Sequence, residues 1–273
     1  MTTEKDLLRA KRLLAKSELR RVELEHLIDT GQAFQRRILA DVEQSKATLQ
    51  KLYDQLHEEQ KRTDQLLTSI MPETVAVELK QSGGVVPKRH DMAAVMFTDF
   101  VGFTTHAEGL DPLMLVQVLD QYYSEFDRIS ARHGVEKVKT IGDAYMCAAG
   151  LGGSTEDDLL AAATEMLKFV KTVRPFGLPD DAPLWTIRIG INSGPVSAGV
   201  IGQDRLSFDI WGNAVNIASR VVDACAENEI FISRSTYDRV SAKSGFTLFG
   251  EIEAKGRGPV EVYRSTADSD YSI

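Results

Sequence analysis

Residues 135–151 read VEKVKTIGDAYMCAAGL. Two apolar-rich runs, Val135–Ile141 and Ala144–Leu151, flank the pair Gly142-Asp143. A short turn of that composition between two such runs is the signal of a β-hairpin. Upstream, Leu113–His133 carries the period of an amphipathic helix, and before it Met92–Phe100 is an apolar run ending in Thr98-Asp99-Phe100, read as a buried strand. Downstream, Asp157–Thr172 repeats the helical period, with Leu159, Leu160, Ala163, Met166, Leu167 and Val170 on one face. Trp185–Ile191 then reads as a strand that Pro195–Ile201 continues after Ser193-Gly194.

The order β-α-β-β-α-β is that of the split βαβ, or ferredoxin-like, unit of an α+β fold. Further elements follow it: helix Asn213–Cys225, strand Glu229–Ser233, short helix Ser235–Ala242, and strands Phe246–Ile252 and Val260–Arg264. The globular domain is expected over residues 91–265, with 266–273 a tail.

The first 70 residues are of a different kind, with one glycine, Gly31, and no proline. A 3-4 frame from Leu7 through Leu14, Leu24, Ile28, Ile38, Val42, Leu49, Leu52, Leu56 and Leu66 to Ile70 is apolar at most positions. That repeat suits a left-handed coiled coil, and so narrow a stripe needs a partner helix. A parallel dimer over residues 1–71 is favoured. The alternative is a helical hairpin broken at Asp29-Thr30-Gly31, with Thr30 capping a second helix. Pro72 should end the helix near Met71. A linker or transducing element over 72–90 follows, amphipathic from Thr74 to Lys80.

The chain carries 32 Lys+Arg against 40 Asp+Glu, a net charge of -8. The first 70 residues hold 13 basic and 12 acidic side chains, so the remainder carries -9. An acidic domain argues against a nucleic-acid partner. No apolar run is long enough for a membrane span, and no apolar leader core opens the chain, so a cytoplasmic protein is expected. Cys147 and Cys225 make no disulfide framework or zinc pattern, and the five histidines show no metal spacing.

Asp99 ends an apolar strand and Asp143 sits in the hairpin turn. The split βαβ arrangement sets that strand beside the hairpin, so both carboxylates meet at one sheet edge. Two such groups suit one or two Mg²⁺ or Mn²⁺ ions, although Asp143 also serves as an ordinary turn residue. Asn216 and Arg220 are four apart and share a helix face near Asp209. They suit a sugar and a phosphate, although by spacing alone such a pair is more often simply a solvated surface pair. Lys255 and Arg257 lie in the Gly-flanked turn Lys255-Gly256-Arg257-Gly258, where cations approach a phosphate closely.

Four blocks, FTDFVGFT (97–104), KVKTIGDAYM (137–146), RIGINSG (188–194) and DIWGNAVNIASR (209–220), resemble the class III nucleotide cyclase catalytic domain over about residues 90–265. The resemblance implies that Asp99 and Asp143, with the Phe100 carbonyl, hold two divalent cations, Mg²⁺ or Mn²⁺. It makes Lys139 and Asp209 the purine readers, Asn216 the ribose-orienting residue and Arg220 the transition-state residue. Lys255 and Arg188 become triphosphate contacts. Lysine and aspartate match the N1 acceptor and N6 donor of adenine, so the implied substrate is ATP and the product cyclic AMP with pyrophosphate. A guanylate or dual-specificity cyclase, or an inactive cyclase-like regulatory dimer, are the alternatives. In such domains the metal-binding aspartates come from one subunit and the purine, ribose and transition-state residues from the other. This chain has both sets, which implies a homodimer, with the coiled coil coupling it to an upstream sensor domain or protein.

Overall fold

The computed structural model describes residues 3–178, 183–254 and 258–266. The chain divides into two units, Met1–Leu66 and Leu67–Ile273.

The first unit is one helix, α1, Thr3–Thr68. It runs unbroken through Asp29-Thr30-Gly31, so the hairpin alternative does not hold. The reason is local: the Thr30 hydroxyl donates to the His26 carbonyl one turn back, at 2.7 Å, and is satisfied inside the helix rather than capping a new one. The apolar stripe stands in solvent, with Leu49, Leu52 and Leu56 56–68% exposed. α1 stops at Thr68, three residues before the expected Met71, and Met71 is itself buried. No helix among the described residues is long and apolar enough to cross a membrane.

In the second unit the expected linker contains a helix, α2, Glu73–Ser82. The Pro72 carbonyl accepts from Val75 and Ala76 to start it, and the Gly83 N–H closes it on Leu79. β1, Lys88–Phe100, then begins three residues earlier than the expected domain boundary at Asp91. A short helix, α3, Phe103–Glu108, was not visible in the periodicity. α4, Pro112–Arg132, starts at a cap in which Asp111 Oδ1 accepts from the Leu113 N–H at 2.9 Å, with Pro112 at the first helical position. β2, Glu136–Ile141, and β3, Ala144–Ala149, form the expected hairpin. α5, Glu156–Thr172, opens on a capping box between Thr155 and Asp158.

β4, Ile187–Ile201, is one continuous strand that runs through Ser193-Gly194, as the expected continuation from Ile191 into Pro195–Ile201 requires. Its second half pairs with β5, Ser207–Trp211, a strand that the turn-rich sequence around Gly202 concealed. α6 is Asn213–Ala224, β6 Ile230–Ser233, α7 Arg234–Tyr237, β7 Phe246–Ala254 and β8 Gly258–Ser265.

The sheet order is β2-β3-β1-β4-β6-β8-β7, with β5 on β4. Neighbours within β2-β3-β1-β4 are antiparallel, in the expected ferredoxin-like order. Alternation along β1 sends Ala94 and Met96 to one face and Ala93, Val95 and Phe97 to the other. The first face packs on α4 and α5 through Tyr122, Phe126, Leu159 and Met166, all fully buried. The second packs on α2 and α6. α6 lies directly on β4 because Gly190 has no side chain; a Cβ there would stand 2.2 Å from the Val222 nitrogen.

Candidate active site

Strand pairing builds the acidic group. Asp99 lies opposite Ala144 on β3 and opposite Arg188 on β4. Asp143 directly precedes Ala144, so the register brings the two carboxylates to one end of the sheet. Gly142 takes a left-handed φ of 61°, which makes the two-residue turn possible. The Tyr123 hydroxyl on α4 donates to the Gly142 carbonyl at 3.1 Å and pins the turn from below. Burial, then the charges of Asp143 and Asp99, hold the Tyr123 phenol well above its ordinary value. Tyr123 thus serves the site, yet in the sequence it reads as one more apolar-face residue of α4.

Arg188 donates to Asp99 Oδ2 from Nε at 2.8 Å and from its second terminal nitrogen as well. Its remaining arm donates to the Asp223 carbonyl at 3.0 Å. Burial pushes the Asp143 carboxyl up, and the Asp99 charge adds to that, while its own backbone N–H and Arg188 work the other way. A pair of part-buried carboxylates with one cationic neighbour is a hard oxygen donor set in want of positive charge, which fits Mg²⁺ or Mn²⁺. The Phe100 ring is committed to the core against Tyr122 and Trp185, at centroid distances of 5.0 and 5.2 Å, so only its backbone is available to the site.

A second group forms 70 residues apart in sequence. Lys139 Nζ on β2 donates to Asp209 Oδ2 on β5 at 2.6 Å, and the Ile210 N–H donates to the other carboxylate oxygen, Oδ1, at 2.9 Å. A β-bulge between Lys137 and Lys139 separates the roles of the two lysines. Lys137 donates to Asp127 on α4, and Lys139, which strict alternation would send to the same side, instead reaches β5. With both carboxylate oxygens engaged, Asp209 is held in one orientation.

The third group is on α6. Asn216 and Arg220 are exposed on one face, as their spacing requires. Arg220 donates to the Asp223 carboxylate at 3.2 Å. Asp223, which carries no signal in the sequence, therefore touches both arginines, Arg188 through its carbonyl and Arg220 through its side chain. Lys255 and Arg257 lie outside the described residues.

This fold and these groups define a nucleotide cyclase domain. Residues 85–266 match the family model described as the adenylate and guanylate cyclase catalytic domain, and the chain belongs to that family. A shorter stretch, residues 27–79, matches the model described as heme NO binding associated. The receptor-type guanylate cyclase gcy-23 of Caenorhabditis elegans is 38% identical over 216 residues, 76% of this chain and 20% of that protein. An adenylate cyclase of Mycobacterium tuberculosis is 33% identical over 228 residues, 82% of this chain and 49% of that protein. The guanylate cyclase domain of RhGC from Catenaria anguillulae, solved with GTP, superimposes with a TM-score of 0.61 at 32% identity, covering 66% of this chain and 98% of that one. The chain spans about a fifth of the first relative and about half of the second. Both purines stand in the names of these relatives, so the shared statement is a cyclase.

Proposed function

We propose that the chain is an adenylate cyclase, converting ATP to 3′,5′-cyclic AMP and pyrophosphate. The observation that carries this reading is the Lys139–Asp209 pair. A lysine ammonium only donates and a carboxylate only accepts. Adenine offers one acceptor, N1, beside one donor, the N6 amino group, and the pair answers both. Without nucleotide the two side chains satisfy each other, so the recognition set stays assembled.

Asp99, Asp143 and the Phe100 carbonyl would hold two divalent cations, which would supply Lewis-acid activation of the ribose 3′-hydroxyl and positive charge for the α-phosphate. Asn216 orients the ribose for in-line attack. Arg220 leaves Asp223 and meets charge developing on the α-phosphate oxygens. Arg188 and Lys255 hold the β- and γ-phosphates of the leaving pyrophosphate. The functional unit is a cytoplasmic homodimer in which the acids of one protomer work with Lys139, Asp209, Asn216 and Arg220 of its partner. Its exposed α1 stripe pairs with the second copy, and an upstream sensor acts through that helix.

A guanylate cyclase is the second reading, favoured by the similarity to gcy-23 and by the match of residues 27–79. The test is turnover of ATP and of GTP by the full chain, with Mg²⁺ and with Mn²⁺. Preference for ATP supports the first reading, and preference for GTP replaces it with the second.

A further inference from the structure

A cavity of about 190 Å³ lies beneath α2, at the end of the sheet where β1 begins. Val85, Leu151 and Phe208 give it apolar walls, and Lys88, His90 and Glu136 give it polar ones. Lys88 and His90 are at the opposite end of β1 from Asp99. Nine residues of strand put the cavity on the order of 30 Å from the acidic group. Neither Lys139 nor Asp209 lines it.

The polar wall groups differ in their commitments. Lys88 Nζ donates to Glu78 Oε2 at 2.6 Å, and the Val86 N–H donates to Glu78 Oε1 at 2.8 Å. That ammonium is therefore neutralised. Glu136 pairs with Ala148 through its backbone, but its carboxylate has no hydrogen-bond or ion-pair partner among the described residues. Its carboxylate lies over Gly152, where an added Cβ would stand 3.1 Å from Oε1. Burial, then the charge of Glu73, holds its carboxyl above the ordinary range. A part-buried carboxylate without a counter-ion is costly, and a cation in the cavity removes that cost. The volume limits the size of the cation. An apolar cavity of about 150 Å³ holds benzene, whereas pockets for drug-sized ligands run from about 300 Å³ upward.

We propose that this cavity binds a small organic cation: an amine on a body about one ring in size, its ammonium on Glu136 and its body against Val85, Leu151 and Phe208. The assignment rests on the cavity and its carboxylate, and does not depend on which purine the enzyme takes.

Calorimetric titration of the full chain with benzylammonium, and separately with benzyl alcohol, tests it. The two probes share a ring and differ in charge. One-site saturable binding of the amine is expected, at least about ten-fold tighter than that of the alcohol, because the ammonium adds its own positive charge to the hydrogen bond with the carboxylate and the hydroxyl does not. Glu136→Gln should erase that preference. Val85→Phe, which fills the cavity from its loop side, should weaken both probes about ten-fold or more by removing space for the ring. The comparison of amine with alcohol on the unaltered protein needs no variant and stands even if a substitution unfolds the chain. Equal affinity of the two probes, no saturable binding up to about 10 mM, or amine binding that survives Glu136→Gln in a folded protein each overturns the assignment.

Discussion

Asp99 and Arg188 are cross-strand partners on β1 and β4, and the guanidinium donates to Asp99 Oδ2 from Nε at 2.8 Å. The arginine is 28% exposed and the aspartate 18%, so this pair is less screened than a surface one. It orients one carboxylate of the proposed metal site while Asp143 approaches from the hairpin turn. Asp99→Ala and Asp143→Ala should each lower metal-dependent turnover more than about 100-fold, equivalent to about 2.7 kcal/mol of barrier. Arg188→Ala should act mainly on nucleotide KM. Wild-type rates in either aspartate variant, with folding confirmed, would sink the two-acid site.

The proposed reading gives purine choice to Lys139 and Asp209, which are locked together at 2.6 Å. Replacing them with Lys139→Glu and Asp209→Cys supplies an acceptor for the guanine N1–H and removes the acceptor that suits the adenine amino group. The ratio of kcat/KM for ATP over GTP should fall at least about ten-fold, close to 1.4 kcal/mol. An unmoved ratio in an active double variant means that these residues do not read the base.

A site shared between protomers can be complemented. Asp143→Ala and Asn216→Ala chains, each inactive alone, should regain activity on mixing. Random exchange makes half the dimers mixed, each with one intact site, so roughly a quarter of wild-type activity is expected. A mixture that stays inactive, although exchange of subunits is seen, would place the whole site within one chain.

In the proposed dimer the stripe of α1 is the second contact. Leu49, Leu52 and Leu56 are more than half exposed in the single chain. Leu52→Glu puts a charge into the seam of the proposed coiled coil, where burial requires its desolvation. Sedimentation should show a dimer dissociating at higher protein concentration than the unaltered chain does. The same dissociation profile in both proteins would leave α1 without a role in pairing.

Thr155 and Asp158 make the first turn of α5 sensitive to acid. The Asp158 carboxylate accepts from the Thr155 N–H at 2.7 Å and from its hydroxyl at 2.8 Å, and these bonds hold its carboxyl below the ordinary value of 3.8. A carboxyl lowered in the fold stabilises it above the unfolded value, and that contribution disappears as pH falls through the folded value. Asp158→Asn should therefore lower the thermal midpoint at neutral pH, and the gap to wild type should close below pH 3.8. A constant gap down to acid would show that ionisation of Asp158 does not stabilise the cap. Thr155→Ala should cost roughly 0.5–2 kcal/mol, from loss of the cap.

Local chemistry made much of this protein legible. Periods of 2 and 3.6 residues located the core strands and the long helices, because a side chain's face follows from its own position along the element. Gly142-Asp143 announced the hairpin, and the spacing of Asn216 and Arg220 set them on one helix face. β5 escaped this reading because its five residues sit between turn signals and gain their ladder from β4. α3 is too short to show a period.

What the sequence determined alone was the order of elements, the charge division between an almost neutral helix and an acidic domain, and the types of residue available for chemistry. Tertiary structure decided which of them meet. Asp99, Asp143 and Arg188 converge because antiparallel register aligns the ends of three strands. Lys139 finds Asp209 because a bulge turns it away from α4 and β4 carries β5 within reach. Tyr123 beneath the turn, Asp223 between two arginines, and Glu136 in its cavity have no local signature at all. Their surroundings come from segments distant in the chain, and only packing brings those segments together.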